Sequence, residues 1–311
     1  MDNELRPILF SVVIPTYNHA NFLKIALQSV IDQDYESWEA IVVDNNSSDN
    51  TKEVIDSFED SRIRVVSINN NGIIAASRNI GIKESNGDWI AFLDSDDKWY
   101  TQKLSTIYRC IKDNIQLDVV SNDEYVVTKN EKNKKILRYG PLPENSYKNM
   151  LLFGNKLSTS ATVVKKDFLD NNFLNFSEEK DFVTVEDYDF WLNLSRYKAN
   201  FKFIHKIMGE YLIHESNNSK REEIHKKNNF NLLKHHVFKI QDFEKDRQSL
   251  FKKVIFRLNL HSELSELSIN NFHKKIFKVF KLIIQEPFFI FSYLIEKTRS
   301  RVTNYFLSFK Q

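Results

Sequence analysis

Cysteine is nearly absent: the 311-residue chain has one, Cys110. No internal disulfide can form, and no Cys/His cluster has the spacing of a zinc site. A chain so poor in thiols is expected to work in a reducing compartment. Its start, Met1-Asp2-Asn3-Glu4, is acidic, whereas a secretory signal has basic residues followed by an apolar run, so a cytoplasmic location is expected. Long apolar runs are missing as well. No stretch approaches the ~20 uninterrupted apolar residues of a membrane-spanning helix, and the nearest, 282–295, is short and interrupted by Gln285, Glu286 and Pro287. Neither G-x-x-x-x-G-K nor G-x-G-x-x-G occurs, which leaves out the Gly-rich phosphate cradles built on those patterns. There is no internal repeat and no low-complexity tract. What is present is a globular composition, 41% hydrophobic and 28% charged, enough for a sizeable core.

The charge is divided unevenly. Residues 1–219 hold 25 Lys+Arg against 33 Asp+Glu, a net of −8, while residues 220–311 hold 19 against 9, a net of +10. Such a split points to two regions with different tasks.

The first region alternates strand and helix. Phe10 to Ile14 is a short β-branched run ending at Pro15, read as a buried strand. A helix over Asn21 to Gln33 follows, with Asn21 expected as its N-cap. Trp38 to Val43 is a second strand, Thr51 to Phe58 a helix, Ile63 to Ile68 a third strand, Ala75 to Glu84 a helix, and Trp89 to Leu93 a fourth strand. This rhythm implies a mainly parallel sheet covered by helices. Farther on, Leu117 to Val120, Glu124 to Val127 and Ala161 to Val164 are strand-like, and Lys129 to Arg138 is expected to be a surface loop. Glu186 to Tyr197 is an amphipathic helix with Phe190, Trp191, Leu194 and Tyr197 on one face. Phe201 to Ile204 and Met208 to Ile213 read as closing strands, and helices rich in Lys and Phe follow from about Glu222.

In such a sheet, ligands bind at the carboxyl ends of the strands, so the loops there matter most. Asp94-Ser95-Asp96-Asp97 directly follows the fourth strand. Carboxylates that close repel one another unless a cation intervenes, and hard oxygen ligands suit Mg2+ or Mn2+, which also hold substrate phosphates. A solvated acidic turn is the simpler alternative. Asp44 and Asn45 end the second strand, where a carboxylate can accept from a ribose hydroxyl or a base N–H or simply form an Asx turn. Tyr17 is placed to stack on a nucleobase. Arg78, on the helix after the Gly72 turn, can clamp a phosphate with its planar fork or make a surface ion pair.

Together, Val12-Val13-Ile14-Pro15-Thr16-Tyr17-Asn18, Asp44 to Thr51, Asn71-Gly72 with Ala76-Ser77-Arg78-Asn79-Ile80-Gly81, and Gly87 through Asp97 with Trp99 resemble the family 2 glycosyltransferases of bacterial cell-surface polysaccharide assembly. The match is strong over 8–100, weaker to about 219, and does not cover the tail. It implies a GT-A fold, a Rossmann-like α/β arrangement with a mixed, mainly parallel central sheet and flanking helices, here with a C-terminal helical extension. A catalytic domain over 1–219 would comprise a nucleotide-binding half, 8–100, and an acceptor half, 101–219, with a basic, aromatic tail over 220–311. Pro15, Thr16, Tyr17, Asn18, Asp44, Asn45, Asn71, Gly72, Arg78, Asp94 and Ser95 would line the nucleotide site. Asp96 is the first candidate ligand for a divalent cation, Mn2+ or Mg2+, with Asp94, Asp97 and His214 beside it. The family often has two successive aspartates where this chain has Asp44-Asn45, a departure at the nucleobase contact. Glu186-Asp187 with Trp191 resembles the family's catalytic segment: Asp187 would be the general base, its carboxylate exposed at the head of a helix, and Glu186, Trp191, Thr159 and Ser160 would belong to the acceptor site. The reaction implied is inverting transfer from a nucleotide-diphosphate sugar, a UDP-sugar foremost, to the hydroxyl of a glycan or lipid-linked acceptor.

Two other readings compete. A nucleotidyltransferase would also cluster carboxylates around a metal, but it calls for a Gly-rich cradle, which is missing. An inactive sugar-nucleotide binding module would have lost a carboxylate, yet Asp94, Asp96 and Asp187 are in place. In the tail, Lys274, Lys275, Lys278 and Lys281 alternate with apolar residues, Phe288-Phe289-Ile290-Phe291 follow, and then Lys297, Arg299 and Arg301. This pattern suits either an anionic membrane surface, making the protein peripheral at the cytoplasmic face, or helices packed on the catalytic domain. No nucleic-acid module is visible, so no nucleic-acid partner is expected.

Overall fold

The computed structural model describes residues 7–128, 134–214, 222–265 and 287–295. The expected basic helix at 274–281, Lys297, Arg299 and Arg301 lie outside the described residues, as do the first five residues of the expected loop that starts at Lys129.

Five elements alternate as expected: β1 (Phe10–Thr16), α1 (Ala20–Ile31), β2 (Trp38–Asp44), α2 (Thr51–Asp56) and β3 (Ile63–Ser67). They continue into α3 (Ile74–Lys83) and β4 (Trp89–Phe92). β3, β2, β1 and β4 lie side by side, all parallel. All seven residues of β1 are buried because strands flank it on both edges and side chains of successive residues point to opposite faces. Val13, Ile90 and Phe92 enter one core; Phe10, Val12, Ile14, Trp89 and Ala91 enter the other.

The second half extends the same sheet. It contains β5 (Lys98–Trp99), α4 (Lys103–Asp113), β6 (Val119–Thr128), β7 (Lys135–Leu137), α5 (Ser146–Phe153), β8 (Thr162–Lys165), α6 (Lys166–Asn172), α7 (Glu186–Arg196) and β9 (Phe201–Ile213). β8 runs antiparallel to both β4 and β6, and β6 also pairs with β7 and, in parallel, with β9. The result is a mixed, mainly parallel nine-stranded sheet with helices on both faces, the fold class expected. Beyond it, α8 (Glu222–His235) and α9 (Arg247–Ser265) place Leu232, Leu233, Leu250 and Val254 in the core shared with α5 and α7.

Local expectations needed correction in three places. Asn21 does not cap α1. The helix starts one residue earlier, and the Ala20 N–H is satisfied from across the loops by Asp49 Oδ2 at 3.1 Å. The segments read as two strands around Asn122-Asp123 form one strand, β6. Its register against β9 shifts at Asp123, and this bulge keeps Ser121, Asn122, Asp123 and Glu124 all buried. The same shift joins the two closing strands into β9. The loop expected to run to Arg138 contains β7, which pairs with residues 124–126 of β6.

Candidate active site

Because β1 to β4 are parallel, their carboxyl ends open on one side, and the loops there are stitched together. In the β1–α1 loop, Asn18 adopts a left-handed conformation (φ 52°), which its short polar side chain tolerates. Its N–H donates to Ser47 Oγ at 2.9 Å, and its Oδ1 accepts from the Ser48 N–H at 2.7 Å. Asp44 accepts from the Ser47 hydroxyl at 2.5 Å and from the Ser47 N–H at 3.2 Å, one residue farther on than in the Asx turn considered above. Asn45 Oδ1 accepts from the Asn70 N–H at 2.9 Å and so ties in the loop that turns at Asn71 and Gly72, both with positive φ. Pro15 and Thr16 are buried at the strand end, with the Thr16 hydroxyl lacking a protein partner. Tyr17 stands 55% exposed over the loops, free to lie on a flat ligand.

The four residues after β4 have distinct surroundings. Asp94 Oδ1 accepts from Arg78 Nη2 at 2.7 Å. Ser95 is buried, and its hydroxyl meets His19 Nδ1 at 3.0 Å. Asp96 Oδ2 lies 2.8 Å from His214 Nε2, and His214 stacks on Phe22 at 4.6 Å. Burial, then the Asp94 charge, raises the Asp96 pKa, while His214 opposes the rise. Asp97 turns inward: Oδ2 accepts from the Ser160 hydroxyl at 2.5 Å and Oδ1 from the Leu212 N–H at 3.0 Å. Burial pushes its carboxyl well above the usual range.

Arg78 joins this loop to the head of α7. It is buried, and its second nitrogen, Nη1, donates to Glu186 Oε1 at 2.9 Å. One guanidinium thus holds a carboxylate from each half of the sheet. Asp187, the next residue, expected to be exposed, is half-buried, and its Oδ2 accepts from Asn155 Nδ2 at 3.4 Å. Burial, and secondarily Glu186, raises its pKa to about 7, with Arg78 pulling the other way. A helix N-terminus favours carboxylates by only ~0.3–1 kcal/mol, so at this position desolvation dominates.

Among the described residues, no three His, Cys, Asp or Glu side chains gather as a ready-made cage. A small hard cation bound with a diphosphate needs only one or two protein ligands. Asp96 and His214 fit that demand: 2.8 Å between Oδ2 and Nε2 is close to the spacing of adjacent ligands on an ion with ~2.1 Å bonds. Asp97 does not fit, because both of its oxygens are engaged by the protein beneath the loop.

Several other expected residues stand elsewhere than foreseen. Ser160 is fully buried. Besides binding Asp97, its hydroxyl accepts from the Asp94 N–H at 3.0 Å, and its carbonyl accepts from Trp99 Nε1 at 2.8 Å and Lys103 Nζ at 3.1 Å. It braces the acidic loop from below and does not face an acceptor. Thr159 is buried beside it. Trp191 is entirely in the core against Phe92, Phe176 and Phe190, where it supports α7. Arg78, expected as a phosphate clamp or in a surface ion pair, is buried and binds two carboxylates. Sequence reasoning missed His19, Asn155 and the buried Lys103, which also donates to Asn122 Oδ1 and whose pKa burial lowers to about 7 against the pull of Glu124 and Asp97. A polar Lys at a helix start carries no pattern that announces burial.

The chain is similar to known proteins. Residues 11–165 match the model for Glycosyl transferase family 2. A UDP-Glc:alpha-D-GlcNAc-diphosphoundecaprenol beta-1,3-glucosyltransferase of Escherichia coli, WfgD, is 35% identical over 188 residues, 60% of this chain and 69% of that one. The chain belongs to glycosyl transferase family 2. This family 2 transferase is also 30% identical to WfaP of E. coli, whose name gives the same reaction, over 60% of this chain and 70% of that one. Among solved structures, S. aureus TarS 1-349 in complex with UDP-GlcNAc superposes with a TM-score of 0.65 at 19% identity, covering 89% of this chain and 81% of that one; at that identity the likeness shows the fold. The chain is a glycosyltransferase of GT-A fold.

Proposed function

We propose that this transferase moves a sugar from a UDP-sugar to the hydroxyl of a lipid-linked glycan at the cytoplasmic face of a membrane, with inversion at the anomeric carbon. The observation that carries the reading is the Arg78 bridge. By binding Asp94 and Glu186 at once, it sets the end of β4 within one side chain of the head of α7, where Asp187 follows Glu186. Tyr17 lies on the nucleobase, and Asp44 and Asn45 bind nucleoside hydroxyls and base edges. Asp96 and His214 would hold Mn2+ or Mg2+, which would neutralise charge on the diphosphate. Residues 1–219 make the catalytic unit and 220–311 the tail.

Asp187 takes the proton of the acceptor hydroxyl. The acceptor oxygen bonds to the anomeric carbon from the side opposite the diphosphate, and the bond from that carbon to the diphosphate oxygen breaks. The electron pair leaves with the nucleoside diphosphate. A carboxyl with a pKa of about 7 is well matched to such proton transfer near neutral pH. Holding acceptor and donor in line supplies up to ~7–11 kcal/mol of the barrier in favourable cases, more than the base alone. The names of WfgD and WfaP support a UDP-linked donor and a diphosphoundecaprenol-linked acceptor.

Thermal melts against a panel of nucleotide sugars, with and without manganese, test this reading. A ligand that binds the folded state raises the melting temperature by mass action, and a UDP-sugar is expected to do so only with the metal present. Protection by a GDP- or CMP-sugar instead would overturn the donor assignment.

A further inference from the structure

Residues 287–295, Pro-Phe-Phe-Ile-Phe-Ser-Tyr-Leu-Ile, form a short helix. Proline at the first position has the right φ and no N–H to leave unsatisfied. None of these residues is charged, and the Ser292 hydroxyl donates to the Phe288 carbonyl of its own helix at 3.0 Å. A helix apolar on all sides belongs in a core or in lipid. This one is only half in a core. Phe289, Ile290 and Tyr293 are buried with Phe256 against Leu152 and Phe153. Phe289 stacks on Phe153 at 6.2 Å and meets Phe256 edge-on at 5.9 Å. On the other side Phe288 is 89% and Phe291 66% exposed, and Leu294 and Ile295 are partly exposed. Two phenylalanines one turn apart, so exposed on a helix so firmly seated, form a patch and not a scatter of single residues.

The seat of this helix is next to the candidate base. Phe153 closes α5, and Asn155, which reaches Asp187 at 3.4 Å, is two residues farther, at most about 7 Å of chain. Gly154 between them lies against α9: a Cβ there would come within 2.9 Å of Arg257 Nη1. There is little slack between the apolar patch and the acceptor side of the site.

We propose that the helix at 287–295 is a lipid-surface wedge, whose Phe288/Phe291 face enters the headgroup boundary of an anionic membrane and holds the Asn155–Asp187 side of the site against it. Charge complementarity favours lipid over another protein. Lys274, Lys275, Lys278 and Lys281 precede the helix in sequence, Lys297, Arg299 and Arg301 follow it, and residues 220–311 carry the surplus of 19 basic over 9 acidic side chains. Basic segments beside apolar ones are drawn to anionic leaflets. No described helix is long and apolar enough to cross a membrane, which fits a helix lying in the interface. The proposal rests on the lipid-linked acceptor reading only for its purpose: an acceptor held by a lipid tail reaches the site from that surface.

Sedimentation of the full chain with vesicles of phosphatidylcholine alone or enriched in phosphatidylglycerol tests it. The wild type should bind the anionic vesicles, less so in high salt. Phe288→Ser combined with Phe291→Ser should weaken that binding about a hundredfold, the scale expected for losing two buried aromatic side chains. The double variant should keep its melting temperature and its hydrolysis of UDP-sugar without vesicles, since neither residue supports the fold. Wild-type protein that stays in the supernatant, or a variant that sediments equally well, overturns the proposal. So does a concentration-dependent dimer abolished by the variant without vesicle binding, or a lowered melting temperature in its place. Vesicle binding without donor hydrolysis would count against the enzymatic reading and leave the wedge standing.

Discussion

Replacing Asp187 by Asn separates catalysis from stability. The wild-type carboxyl, with a pKa of about 7, is roughly ten-to-one ionised at pH 8 and one-to-ten at pH 6, so kcat/KM should rise about tenfold between those values. Asparagine cannot accept the proton, and turnover should fall ~10²–10⁴-fold, with donor affinity unchanged, as expected of a group that serves the acceptor hydroxyl. Stability should move the other way. The native carboxyl holds its proton more tightly than the unfolded chain, so its contribution is most favourable below pH 3.8 and is lost as the pH rises through about 7. The full rise from 3.8 corresponds to ~4 kcal/mol. Solvent contact at Asp187 reduces this, leaving about 1–2 kcal/mol. The variant should therefore melt a few degrees above wild type at pH 8, and the gap should close toward pH 4. Initial rates over a pH series, donor titration and paired melts give all three readouts. Turnover within a factor of two of wild type, or a profile with no acid limb near pH 7, would remove Asp187 from the role of base.

Other substitutions probe the supports. Asp96→Ala should abolish manganese-dependent donor binding, measured by calorimetry with and without EDTA. Arg78→Met leaves two carboxylates without their cation and should cost ~3–5 kcal/mol in urea unfolding; Arg78→Lys, with a single point of charge, should recover only part of the loss. At Gly87 a Cβ would stand 2.7 Å from the Leu9 carbonyl and the Ser11 nitrogen. Both are backbone atoms that cannot rotate away, so Gly87→Ala should destabilise by ~1–3 kcal/mol or more, read as a lower urea midpoint.

The half over residues 8–100 was legible because its signals are local: apolar strands that end abruptly at turn formers, each followed by a helix of period 3.6. The bulge in β6 was not legible. Asn122, Asp123 and Glu124 look like a break in a strand, and only the pairing with β9 and the approach of Lys103 bury them together. Ser160 and Trp191 were sorted by resemblance to the acceptor site, but sequence spacing does not tell which side of a loop or helix faces the mouth. The Arg78 bridge joins residues 108 apart in sequence, a relation no window along the chain contains. The role of helix 287–295 was half visible, since its composition fits core and lipid equally and only packing divides its two faces.

The edge of β4 away from β1 is covered by β8, which arrives some seventy residues later and is itself flanked by β6. A donor module excised at residue 100 would carry Trp89 to Phe92 as a raw margin, ready to pair with any neighbour. Engineers wishing to trade acceptors between relatives should graft loops onto the intact sheet, because chimaeras joined between the two halves need a matching β8 to heal that seam.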